Sequence, residues 1–151
     1  MQVEEILKEY PSQKDFMLQA LQKIAQQSEL NKEVLLKVSK HFNLSPATVF
    51  GIASFYSFLP LTKHGKYVIR ICKSVSCEIG EKEEILDAIK KELGIEVGET
   101  TNDRLFTLLE TNCIGWCDES PAMLINDKVY TRLTKDKVIS IIQSIKDNEN
   151  I

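Results

Sequence analysis

Apolar residues in the first part of the chain recur with the period of a helix. Val3, Ile6, Leu7 and Tyr10 fall at i, i+3, i+4 and i+7, one face of a short helix that Pro11 ends. Ser12 is placed to cap a second helix, whose stripe runs through Phe16 or Met17, Leu21, Ile24 and Ala25 before the polar stretch 26–29. Asn31 can cap a third, carrying Val34, Leu35, Val38 and Phe42. Ser45 at a cap position and Pro46 at the first helical position announce a fourth.

That fourth segment breaks the pattern. Positions 43–62 hold no charged side chain, while Phe50, Phe55, Tyr56 and Phe58 crowd together. A helix apolar on every side must be covered on every side. Two coverings remain open at this point: burial among the chain's own helices, or one face against the chain and the other against a partner protein, where aromatic anchors are enriched. The spacing over 31–58 also matches a helix-turn-helix, but after Asn43 the recognition segment has no Arg, Lys or Asn with which to bond base edges or phosphates. The stretch 59–66 then breaks the helical pattern, so a helical bundle over 1–62 and a second domain over 63–151 are expected. His64 reads as a solvated linker residue and His41 as a helix-surface one; the two histidines make no site.

Beyond that linker the period changes. Tyr67–Cys72 is β-rich, and the segment after it leads into a helix over Glu81–Leu93, acidic in its first turn, basic at Lys90 and Lys91, and stopped by Gly94. After a polar connector, a second strand over about 105–111 leads to Cys113. The segment 122–132 reads as a hairpin turning at Asn126-Asp127, and Thr134 can cap a last helix with Val138, Ile141, Ile142 and Ile145. Strand, helix, strand, hairpin and helix is the βαβ plus ββα layout of thioredoxin-like folds, which makes the whole chain an α+β or α/β protein: a helical bundle, then a thioredoxin-like domain. Parallel strands joined by a crossover end at one edge, so both cysteine segments are expected there. Pro121 precedes a strand and is cis by analogy with thioredoxins or trans by frequency.

The chemistry lies in the cysteines. The chain has four, as Cys72-x4-Cys77 and Cys113-x3-Cys117. Thiolates suit zinc, copper(I) and iron–sulfur clusters, and four in two close pairs either close one tetrahedral zinc site or hold one cluster. Zinc knuckles usually separate paired ligands by two residues, whereas these wider gaps suit a binuclear 2Fe-2S centre with one pair per iron. Cys72 is therefore paired with Cys77, and Cys113 with Cys117, leaving a structural zinc module as the alternative. Ser74, Ser76 and Gly115 are small enough for backbone N–H groups to turn toward sulfur, and Lys73 and the helix start near Gly80 are expected to offset thiolate charge. Thioredoxin's C-x-x-C redox motif is absent, which disfavours thiol–disulfide exchange.

Composition narrows the setting. At 151 residues, 43% hydrophobic and 27% charged, the chain can bury a core, and a net charge of −3 disfavours a nucleic-acid surface. No apolar run is long enough to span a bilayer, and the acidic, amphipathic N-terminus lacks the features of a secretory signal. Disulfides would require an oxidising compartment, so reduced thiols and a cytoplasmic location are expected.

With these features in view, the chain resembles the thioredoxin-like 2Fe-2S ferredoxin subunit of respiratory complex I and its soluble relatives in NAD-linked and electron-bifurcating hydrogenases. The resemblance rests on the two cysteine pairs and on Ala53-Ser54-Phe55-Tyr56, where the family often has Ala-Thr-Phe-Tyr. It rests also on the segment Gly65 to Arg70 and on Ser120-Pro121 leading to Asn126-Asp127 ahead of Val129-Tyr130. It implies one 2Fe-2S cluster on Cys72, Cys77, Cys113 and Cys117, in a non-catalytic electron-transfer subunit. The partners it implies are a flavoprotein subunit that binds FMN and NAD(P)H and a further iron–sulfur subunit. Trp116 and Glu119 stand where smaller residues are frequent, and Asn102-Asp103-Arg104 replaces a common Asp-Gly turn. Trp116 either shields the cluster or only packs. The length resembles the soluble bacterial complexes more than a mitochondrial subunit.

Overall fold

The helical period of the first part of the chain is realised as four helices in the computed structural model, which describes residues 2–149: α1 (Gln2–Lys8), α2 (Met17–Gln27), α3 (Lys32–His41) and α4 (Pro46–Phe55). They belong to the first of two compact units, Met1–Lys63; the second is His64–Ile151. Ile6, Leu7, Leu21, Ile24, Val38 and Val49 share one buried core in the first unit. Asn31 accepts a bond from the Val34 N–H and Ser45 one from the Thr48 N–H, with Pro46 opening α4. Such caps contribute about 1 kcal/mol each.

Two expectations in this unit need correcting. Ser12 caps nothing: a 3-10 turn, Lys14–Phe16, runs directly into α2, and the turn's carbonyls take over from a side-chain cap. His41 is half-buried, with Nε2 2.9 Å from the Tyr10 carbonyl oxygen. The covering of α4, open from the sequence, is one-sided. The helix buries only Val49 and Ala53, while Phe50 is 54% exposed, Phe55 78%, Tyr56 40% and Phe58 52%.

In the second unit the strands are β1 (Tyr67–Cys72), β2 (Phe106–Thr111), β3 (Met123–Ile125) and β4 (Lys128–Tyr130), in the order β2-β1-β3-β4. β1 and β2 are parallel, and β1–β3 and β3–β4 antiparallel, with the hairpin turning at Asn126 in the left-handed region. Its helices are the short α5 (Val75–Ile79) and the longer α6 (Lys82–Leu93) and α7 (Lys135–Glu149). The two longer ones lie against each other and against the apolar face of the sheet. Ile69, Ile71, Phe106 and Leu108 meet Ile85, Ile89, Val138 and Ile142 there, each full burial contributing about 1.5–3 kcal/mol. Gly94, at φ +68°, ends α6, and Thr134 Oγ1 accepts the Lys137 N–H before α7. The mixed four-stranded sheet and its helices make a thioredoxin-like fold. The Ser120–Pro121 bond is cis. His64 is half-buried instead of solvated, and burial, with the nearby Arg70 charge, lowers its pKa. Among the described residues no helix is long and apolar enough to cross a membrane.

Candidate metal centre

Parallel pairing of β1 and β2 sets Cys72 directly opposite Thr111, and the chain reaches Cys113 two residues later. The ladder extends past the strand ends: the Cys72 N–H donates to the Ala122 carbonyl (3.1 Å) and the Lys73 N–H to the Thr111 carbonyl (2.9 Å). Cys72 is thus held between β2 and the approach to β3. The expected helix over Glu81–Leu93 is preceded by α5, and Cys77 sits on that short helix instead of in an open loop. Gly80 ends α5 where an added Cβ would stand 3.2 Å from Ser120 Oγ and 3.3 Å from Pro121 Cδ, just past the second cysteine segment.

The four thiols are free and fall into two environments: Cys72 and Cys77 are buried, Cys113 and Cys117 exposed. Cys113 and Cys117 Sγ are 3.2 Å apart, and the Gly115 N–H, from a residue at φ +87°, donates to Cys113 Sγ at 3.4 Å. Cys72 Sγ stands 3.1 Å from Ser74 Oγ, and the neighbouring Cys77 favours its thiolate. The segments also meet each other. The Ile114 N–H favours the Cys72 thiolate, the Ser74 hydroxyl that of Cys113, and the Ser76 hydroxyl that of Cys117.

These contacts divide the thiols' acidities. Burial pushes Cys72 up, but the Ser74 hydroxyl, N–H groups and Cys77 bring it below the usual thiol value. Burial and the Cys72 charge leave Cys77 raised. Bonds from Cys117 and the Gly115 N–H lower Cys113, and Cys117, donating to Cys113, is raised in turn.

The donor set fits a binuclear cluster. The four cysteines fall in two pairs, with small hydroxyl and N–H donors beside the sulfurs. A tetrahedral zinc site requires all four ligands at a single point, and the zinc alternative is not supported. Two details differ from expectation. Trp116 is 44% exposed, and Val75 and Ile79 on α5 are exposed as well. The exposed Lys73 is also not the only cation beside the cysteine segments, because Lys82, in the first turn of α6, is buried.

Sequence reasoning missed that lysine, although a cation at a helix N-terminus runs against the dipole and was a visible signal. It also missed what Glu119 does. Its carboxylate accepts from Thr131 Oγ1 (2.7 Å) and pairs with Arg132 (3.0 Å), anchoring the 3-10 turn Cys117–Glu119.

Comparison with known proteins agrees with the geometry. Residues 3–146 match the family described as thioredoxin-like 2Fe-2S ferredoxin. The chain is 36% identical over 153 residues to NADH dehydrogenase (ubiquinone) flavoprotein 2, mitochondrial, of Dictyostelium discoideum, covering 99% of this chain and 62% of that protein. It is 34% identical to an NADH-quinone oxidoreductase subunit of Buchnera aphidicola (92% and 82% covered). It is also 34% identical to the NAD-reducing hydrogenase HoxS subunit alpha of Cupriavidus necator, covering 96% of this chain and 24% of that one. Among solved structures, an NAD+-reducing NiFe hydrogenase in the H2-reduced state superposes with a TM-score of 0.79 at 27% identity, over 87% of this chain and 22% of that chain.

Proposed function

The chain belongs to the thioredoxin-like 2Fe-2S ferredoxin family, and from that membership we propose that Cys72, Cys77, Cys113 and Cys117 hold one 2Fe-2S cluster in a small electron-transfer subunit. The complex it serves is an NAD(P)H-linked flavoprotein oxidoreductase, of the diaphorase kind in complex I or of the hydrogenase kind. The observation that carries this is that parallel pairing brings two cysteine segments to one sheet edge, with Ser74 Oγ 3.1 Å from Cys72 Sγ and the Gly115 N–H donating to Cys113 Sγ beside Cys117.

When bound, the cluster supplies one-electron redox chemistry. The residues do the remaining work. Cys72 and Cys77 are held out of water by the sheet edge and α5, Gly115 turns its N–H onto Cys113, and hydrogen bonds to sulfur of this kind raise a centre's potential. The region 1–62 acts as a helical docking domain and 63–151 as the cluster domain. FMN and NAD(P) belong to a partner subunit, a further iron–sulfur subunit continues the path, and the setting is cytoplasmic. The exposed Phe50, Phe55, Tyr56 and Phe58 supply the aromatic anchors of the flavoprotein contact.

Anaerobic reconstitution tests the cluster. About two irons and two sulfides per chain are expected, with visible absorption that bleaches on reduction and is lost in Cys72→Ser and in Cys113→Ser. Colourless, iron-free protein, or full colour in both variants, would overturn the assignment. Phe55→Asp is expected to abolish co-purification with the flavoprotein while the colour stays.

A further inference from the structure

We propose that Lys82 is a positioning residue that locks the helix carrying Cys77 to the strand that delivers Cys113. Its side chain is 3% exposed, and Nζ lies 2.9 Å from Glu78 Oε1, 3.0 Å from Glu110 Oε1 and 2.8 Å from Glu83 Oε1. The three partners come from three elements. Glu78 follows Cys77 on α5, Glu83 follows Lys82 on α6, and Glu110 stands on β2, three residues before Cys113 and opposite Ile71, the neighbour of Cys72.

An ammonium has three protons to donate; two go to Glu78 and Glu110, and Glu83 Oε1 lies within ion-pair distance. With one bond to α5 and one to β2, the ammonium ties the two elements, and α5 cannot shift against β2 without breaking a charge-assisted bond. Placement on α6 argues that these partners are the reason for the residue. A cation in the first turn of a helix faces the positive end of the dipole, and burial adds a desolvation cost, so the carboxylates of Glu78 at i−4, Glu83 and Glu110 on β2 must outweigh both. Burial lowers the ammonium's pKa, but the three carboxylates together raise it above the usual lysine value, and it stays charged. Glu83 and Glu78 are largely exposed, so they lose little by this arrangement; Glu110 is the most buried of the three and fixes the strand end.

A buried ion pair that served only overall stability would leave the relative placement of the thiols unchanged when it was weakened. A clamp between the two cysteine segments would not. The inference rests on the proposed cluster for its holo readouts and is independent of it for its thiol readout.

The experiment compares wild type with Lys82→Met, Lys82→Arg and Glu110→Gln in the full chain. In the cluster-free form, the iodoacetamide alkylation rate of Cys77, followed by peptide mass spectrometry, is expected to rise about tenfold in Lys82→Met while Cys113 and Cys117 are unchanged. In the reconstituted form, chelator is expected to strip iron from Lys82→Met about tenfold faster, with altered electron paramagnetic resonance g-values in the reduced state. Lys82→Arg is expected to restore most of both. An unchanged Cys77 rate with unchanged g-values in Lys82→Met overturns the proposal, as does Lys82→Arg failing to rescue a folded protein. Should Lys82→Met not fold, Glu110→Gln leaves Lys82 two carboxylates and is expected to shift both readouts in the same direction by a smaller factor; no shift overturns it. Wild type that binds no iron would sink the cluster assignment alone, because the Cys77 rates still decide the role of Lys82.

Discussion

The segment from Cys72 to Cys77 and the segment from Cys113 to Cys117 each present two thiols, but they hold them by different means. The first is built from regular structure: Cys72 ends the central strand β1 with its N–H in the sheet ladder, and Cys77 sits on α5. Its two cysteines are 1% and 2% exposed. The second leaves β2, crosses Gly115 at a positive φ, and closes on a 3-10 turn that Glu119 ties down; its two cysteines are exposed. A rigid, dry half and a turned, wet half together hold sulfurs at one edge of the sheet. The contrast also shows in the glycines. Gly80, beside the first segment, is crowded by Ser120 and Pro121, while Gly115 has open space around it and is favoured by its backbone angle.

Thiol reactivity in the cluster-free chain tests this contrast most strongly. Cys113 and Cys117 are expected to alkylate about a hundredfold faster than Cys72 and Cys77, because reaching the buried pair takes a local opening of about 3 kcal/mol. Four similar rates, measured by peptide mass spectrometry, would erase the distinction between the two halves.

The glycines give the next largest effect. Gly80→Ala is expected to cost about 1–3 kcal/mol in urea unfolding, by crowding Pro121. For Gly115→Ala the expected cost is about 1–2 kcal/mol, from left-handed strain. Asparagine separates the two causes: it tolerates the left-handed region and should recover part of the loss at 115 but none at 80. Equal recovery at both sites would show that one mechanism governs both segments.

A smaller effect lies in the pH dependence of the exposed pair. Thiolate is the reactive form, so a lowered pKa makes reactivity appear earlier as pH rises. Cys113 alkylation should set in below the pH of an ordinary thiol and Cys117 above it, since Cys117 donates to Cys113. Cys117→Ala removes that donor and should move the Cys113 profile upward. The smallest effect is expected at Trp116, where the exposed ring makes Trp116→Ala change isolated-chain stability by no more than about 0.5 kcal/mol.

Much of this was legible from local pattern. The caps Asn31 and Ser45, the strand Tyr67–Cys72, the Gly94 stop and the Asn126 turn each depend on a few adjacent residues, and they form where the pattern places them. Ser12 was misread because a side-chain cap is only one way to satisfy a helix start, and the carbonyls of a preceding turn served instead. Uncharged composition over 43–62 called for cover on every side, yet composition does not say which faces the chain's own helices take. The exposed aromatics of α4 answered that.

The sequence by itself determined the donor chemistry: four thiols in two close pairs, on a chain whose strand and helix periods lead both pairs off parallel strands. Those properties are local, set by residue type and by spacing along the backbone. Only the tertiary structure decided which sulfurs are dry, that parallel pairing sets Cys72 opposite Thr111, and that Lys82 joins α5 to β2 through Glu78 and Glu110. Burial and long-range ion pairing depend on what the fold brings alongside from elsewhere in the chain, and a linear pattern holds no record of those neighbours.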